Sequence, residues 1–180
     1  GYDRVILEKQ GDIYTLGIYS VAVQMSGYLN VFAVAIKSTF QPDIYKAIAE
    51  KNLSKLVKKI CVIIAVVTVI VLLFIILCPI IIHLLTAGRY DESTRLTQIL
   101  SLSVITSTIY YQISQVTYGS GLSNLTLINK IIGSVFSFIL FSLMVPCYGV
   151  LGVAWSVVLC FIFYAIGNLI LLYIYRNRFL

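Results

Sequence analysis

Residues 60–88 read ICVIIAVVTVIVLLFIILCPIIIHLLTAG, 29 positions without one Asp, Glu, Lys or Arg. An α-helix rises 1.5 Å per residue, so about 20 apolar residues cross a hydrocarbon core about 30 Å thick. The run is continuous and does not alternate, which argues for a spanning helix and against the strands of a transmembrane barrel. Outward from this stretch, residues 13–36, 96–129 and 131–175 are also free of charge, over 24, 34 and 45 positions. The 180-residue chain is 11% charged, with a mean hydropathy of +0.99. Water-soluble domains are typically about 25% charged, so the composition points to an integral membrane protein.

The fold class expected is all-α, a polytopic membrane helix bundle with about five complete transmembrane helices and the end of a sixth. The spans fall at about 14–36, 60–85, 96–118, 127–145 and 151–174. The last charge-free run holds two of them. Pro146-Cys147-Tyr148-Gly149 divides it, because Pro lacks a backbone donor and Gly permits a turn. The opening Gly1-Tyr2-Asp3-Arg4-Val5-Ile6-Leu7 reads as the end of another helix. The chain is therefore expected to be a piece of a longer protein.

Charge gives the expected orientation. If spans alternate, residues 37–59, 119–130 and 175–180 share one side and carry nine Lys and Arg, five of them Lys46, Lys51, Lys55, Lys58 and Lys59. The opposite side carries four. Lys and Arg stay on the cytoplasmic face, so loop 37–59 and the C-terminus are expected there. The formal net charge of +6 then reflects topology, and no nucleic-acid partner is expected. Ile44, Ile48, Leu53, Leu56, Val57 and Ile60 recur at helical spacing, which predicts short helices lying on the anionic inner leaflet. Asn52 is placed to cap the turn into the next span.

No Gly-rich phosphate loop, paired His or Cys pair at metal spacing is present, so neither an enzyme nor a cofactor or metal site is expected. Cys61, Cys78, Cys147 and Cys160 read as packing residues. His83 reads as interfacial. No acid or base lies in the middle of a span. The nearest charges are Asp3-Arg4, Lys37 and Lys130, each either a snorkelling anchor or a pathway group. Gln24, Gly27 and Asn30 share an arc of the first span. Ser101, Thr108, Tyr111, Gln115 and Tyr118 form a stripe on the third, which is polar nearly all round. Such a helix cannot face lipid on every side. Its polar groups either bond to other helices or line a substrate pathway.

Tyr2-Asp3-Arg4-Val5-Ile6-Leu7, Leu16-Gly17-Ile18-Tyr19, Gln24 and Pro42, followed by Ile131-Ile132-Gly133-Ser134 and the Pro-x-x-Gly-x-x-Gly-x-Ala turn of 146–154, stand in an order that resembles the polysaccharide-exporter branch of the multidrug/oligosaccharidyl-lipid/polysaccharide flippase superfamily. An Asn that often precedes that turn is absent from Ser142-Leu143-Met144-Val145.

The resemblance implies two six-helix bundles about a central cavity, with residues 1–180 as most of the C-terminal bundle. It implies transport of undecaprenyl-diphosphate-linked oligosaccharide across the bacterial inner membrane by alternating access. The implied partners are that lipid-linked oligosaccharide, membrane lipids, the missing N-terminal bundle, and the polysaccharide polymerase and chain-length machinery. Asp3, Arg4, Gln24, Asn30, Tyr111, Gln115, Tyr118 and Lys130 are the substrate-pathway candidates. The alternatives within the superfamily are a multidrug or cation antiporter and a peptidoglycan-precursor flippase.

Overall fold

The computed structural model of the chain describes residues 13–175. Four helices follow one another: α1 (Ile13–Ala49), α2 (Leu53–Thr86), α3 (Ser93–Gly119) and α4 (Ser123–Ile174). α1, α2 and α4 are long and apolar enough to cross a membrane.

The opening stretch of the sequence lies in α2. Its buried residues, Leu56, Ile63, Val67, Val71, Cys78 and Ile82, recur in steps of four and seven. That is a narrow seam along one side of a helix. The rest of the circumference is bare apolar surface, with Leu72, Leu73, Ile76, Leu77 and Ile80 all exposed. Water-soluble monomers do not leave apolar surface of this extent uncovered.

The expected count of five helices is not matched. The spans placed at 127–145 and 151–174 both belong to α4, whose 52 residues would stretch about 78 Å if straight. It is not straight. Gly149 leaves helical geometry at φ 56°, ψ −135°, and the two legs on either side of it pack antiparallel. Asn129 bonds to Asn168 and Phe136 stacks on Phe163 at 4.1 Å, so the contacts nest about residue 149. A Cβ at Gly133 would collide with the Tyr164 ring, so the bare glycine sets how closely the legs approach.

The segment expected as a span at 96–118 lies in α3, which is not among the helices apolar enough to cross a membrane by itself. Its polar side chains lower its hydropathy, and the other helices enclose it. Leu96, Ile99 and Leu100 join a core with Ile18, Tyr19 and Ala22 of α1 and Val145, Val153 and Ala154 of α4. Val104 joins Leu29, Ala33, Val67 and Val71. Val116 joins Ile44, Ala47, Leu56 and Ile63. α3 thus contributes to cores at both ends and the middle of the bundle.

The lysine stretch also differs from expectation. It is not a loop of short helices on the leaflet. α1 runs on through Pro42 to Ala49, and α2 starts at Leu53. α1 is therefore about 55 Å long, well beyond the thickness of a hydrocarbon core. Helix-forming Ala and Lys carry it past the point where charge begins. The turn is closed by backbone bonds from Lys51 to the Ile48 carbonyl (3.0 Å) and from Asn52 to the Ala47 carbonyl (3.1 Å). This is the Schellman arrangement, with Lys51 in the left-handed region at φ 51°. Asn52 caps α2 as expected, its side chain accepting from the Lys55 N–H at 3.0 Å.

Candidate functional site

α3 carries ten Ser and Thr between Ser93 and Thr117. Most of their hydroxyls do not reach another helix. Thr97 donates to the Ser93 carbonyl (2.8 Å), Ser101 to Thr97 (2.7 Å), Ser103 to Leu100 (2.6 Å), Thr108 to Val104 (2.7 Å) and Thr117 to Ser114 (2.7 Å). A hydroxyl that donates to a carbonyl three or four residues back is satisfied locally, and its helix can be buried without a partner across the gap. Interhelical bonding, one of the two readings given to these hydroxyls, is thus not seen for these five and occurs at Ser114.

The bonds from α3 to other helices come mainly from amides, beside a longer one from Cys78 Sγ to the Thr94 carbonyl (3.9 Å). Gln98 Nε2 donates to the Ile75 carbonyl of α2 at 3.1 Å. Asn129 Nδ2 donates to Asn168 Oδ1 (2.9 Å) and to the Tyr164 carbonyl (3.1 Å). Asn168 Nδ2 donates to Ser114 Oγ (2.6 Å). This buried chain ties both legs of α4 to α3. The sequence reading missed it, although Asn129 and Asn168 are isolated amides within apolar runs, which is a legible signal.

A cleft of about 300 Å³ opens between α1, α3 and the second leg of α4. Ser26, Gly27 and Asn30 form its α1 wall, Ser103, Ser107 and Tyr111 its α3 wall, and Phe161 its α4 wall. It has polar groups on two walls, unlike the larger, apolar groove near the α1–α2 turn. Ser103 and Ser107 direct their protons to their own backbone, so their oxygens are free to accept. A Cβ added at Gly27 would meet nothing within 4 Å, so this wall is flat and open.

Lys37 lies two turns beyond Asn30 on α1. It is only 7% exposed, and its Nζ stands 4.5 Å from the centroid of the Tyr111 ring. No carboxylate among the described residues pairs with it. The sequence placed Lys37 at a helix end as an anchor or a pathway cation. Burial over an aromatic face is not the posture of a snorkelling anchor. Lys130, on the first leg of α4, stands 5.8 Å from the centroid of the Tyr118 ring. Tyr111 and Tyr118 are seven residues apart on α3, about 10.5 Å. Two cations from two helices thus rest on one aromatic row.

The remaining sequence candidates divide. Asn30 and Tyr111 meet in the cleft, and Lys130 meets Tyr118. Gln115, between the two tyrosines, has its Oε1 buried without a hydrogen-bond partner. Its neighbour Gln112 is fully buried with both amide ends unbonded. Gln24 is exposed and bonds along its own helix to Tyr28 (3.4 Å) instead of lining the cleft. Ser101 and Thr108 are buried in the packing, so the expected stripe splits, with only Tyr111, Gln115 and Tyr118 left toward the cations. Asp3 and Arg4 lie outside the described residues.

No cluster of His, Cys, Asp and Glu able to hold a metal occurs among the described residues. Cys78 and Cys160 are buried; Cys61 and Cys147 are exposed. His83 Nδ1 meets Asp91 Oδ2 at 2.9 Å, at the far end of the bundle from the lysines. Comparison with family models, with curated proteins and with solved structures finds no match to this chain.

Proposed function

We propose that this bundle is the C-terminal half of a flippase that moves undecaprenyl-diphosphate-linked oligosaccharide across the bacterial inner membrane, working with an N-terminal bundle outside this chain. The lysine-rich end of the bundle is cytoplasmic in this reading. The observation that carries it is the cleft beside Lys37 and Tyr111. Serine oxygens, an Asn amide and a phenol ring suit the hydroxyls and faces of sugars. Lys37 and Lys130, held over tyrosine rings with no carboxylate partner among the described residues, suit a diphosphate. The cargo's lipid tail needs no cavity, because it stays in the bilayer while the polar head crosses. Alternating access requires a second half to rock against this one about a shared site.

The charge sign favours this reading over the antiporter. The cleft has Lys37 beside its Tyr111 wall and no carboxylate in its lining among the described residues, which fits an anionic cargo and not a cationic one.

The test is export of surface polysaccharide by the full-length protein in cells that depend on it. Lys37→Ala and Tyr111→Ala are expected to abolish or sharply reduce export while the protein stays in the membrane at normal level. Lys37→Arg, which keeps the charge, is expected to retain part of it. Normal export by Lys37→Ala would remove the diphosphate assignment.

A further inference from the structure

We propose that α2 carries a specific site for one anionic phospholipid, with the phosphate held by Lys55, Lys58 and Lys59 and the tail laid along the same face of the helix. Two features of the structure meet here. The three lysines, with Phe40 and Val62, line a recess of about 380 Å³ between α1 and α2. At 100° per residue, Val62, Val66, Val69, Leu73, Ile76 and Ile80 then continue the lysine face down the helix, and each of them is exposed. Cations at one end of a bare apolar stripe match a molecule with an anionic head and a long tail.

The charges in and beside the recess can be followed individually. Lys59 pairs with Asp43, and Lys55 pairs with Glu50 at 3.2 Å. Lys58 has no carboxylate partner among the described residues. Three cations therefore face two carboxylates, and the surplus sits on Lys58. Lipid tails are as apolar as the stripe, so the tail contributes little selectivity and the choice of lipid falls to the head. Ammonium groups are point charges without a fixed fork, so they select for a phosphate that bears net charge and not for one headgroup shape.

Lys46 and Lys51 belong to the same sequence cluster and carry the same charge. Neither lines this recess, and Lys51 instead borders the separate groove near the turn. A diffuse attraction to an anionic leaflet would weigh all of these lysines alike; a site would not. The inference rests on α2 lying in a membrane and not on the cargo proposed above, so failure of the export test leaves it standing.

The experiment is a titration of the purified protein, in neutral detergent, with phosphatidylglycerol, counting retained lipid by native mass spectrometry against phosphatidylcholine. One phosphatidylglycerol is expected to be retained in preference to phosphatidylcholine. Lys58→Gln and Lys55→Gln are each expected to weaken that retention about fivefold, whereas Lys46→Gln and Lys51→Gln leave it unchanged. All four substitutions fall on exposed side chains, and thermal melting checks that each variant stays folded. Equal weakening by all four overturns the site in favour of diffuse charge. Unaltered retention by Lys58→Gln, or equal retention of the two lipids, also overturns it. Displacement of the lipid by excess glycerol 3-phosphate overturns it as well, in favour of a soluble anion.

Discussion

Gly149 holds φ 56°, ψ −135°, a region closed to residues with a side chain, and yet a Cβ there would meet no atom within 4 Å. Any cost of substitution is therefore in the backbone. Gly149→Ala is expected to destabilise the folded bundle by about 1–3 kcal/mol, read as a lower melting temperature in detergent by circular dichroism. Ala87 gives the opposite case. It ends α2 in the left-handed region at φ 50°, where a side chain is a burden. Ala87→Gly is expected to raise stability by about 1 kcal/mol in the same assay. Gln112 is a third test. Both ends of its buried amide are unbonded, so Gln112→Leu, similar in size, is expected to stabilise by about 1 kcal/mol or more. A lower melting temperature for Gln112→Leu would mean that the amide has a partner in the working protein.

The four helices differ in how well they can be read from sequence. α2 is legible from its composition, and Asn52 as its cap from residue type and place alone. The fold of α4 is legible from Pro146 and Gly149, although one helical run covers both legs. The reach of α1 is not legible, because hydropathy marks where the membrane ends and helix propensity continues past it to the turn at Lys51. For α3, spacing shows which face each hydroxyl occupies. It does not show that the nearest acceptor is the carbonyl one turn back, which is present in every helix and competes with any distant partner. The contrast can be measured. Thr108→Val removes a hydroxyl that bonds only its own helix and is expected to cost well under 1 kcal/mol. Asn168→Leu cuts the link from Asn129 to Ser114 and is expected to cost about 1–2 kcal/mol, most of it lost again as coupling in a double-mutant cycle with Ser114→Ala.

For the whole molecule, the helix directions put the α1–α2 turn, the α3–α4 turn and the end of α4 at one end of the bundle, and the α2–α3 turn and Gly149 at the other. In a protein lacking its native cysteines, Lys51→Cys is expected to resist an impermeant thiol reagent in intact cells, whereas Tyr90→Cys reacts. Labelling of position 51 from outside would invert the proposed topology. Of the candidate site, Asn30 and Tyr111 are legible as members of polar arcs on two helices, but not as walls of one cleft. The seating of Lys37 over Tyr111 was not, because a lysine at the end of an apolar run reads the same in sequence whether it turns outward to water or inward to a ring.

The locally bonded hydroxyls of α3 also bear on mechanics. Hydrogen bonds that begin and end on one rod travel with it, so sliding or turning the rod breaks none of them. Among the described residues, side-chain hydrogen bonds fasten α3 to its neighbours at Thr94, whose carbonyl accepts from Cys78 Sγ, and at Gln98, toward one end, and at Ser114, toward the other. Between these fasteners lies the length of rod bearing Ser103, Ser107 and Tyr111, where the two serine hydroxyls bond their own backbone and the Tyr111 ring rests against Lys37. The serines on the wall of the cleft can thus move with the rod without breaking their hydrogen bonds.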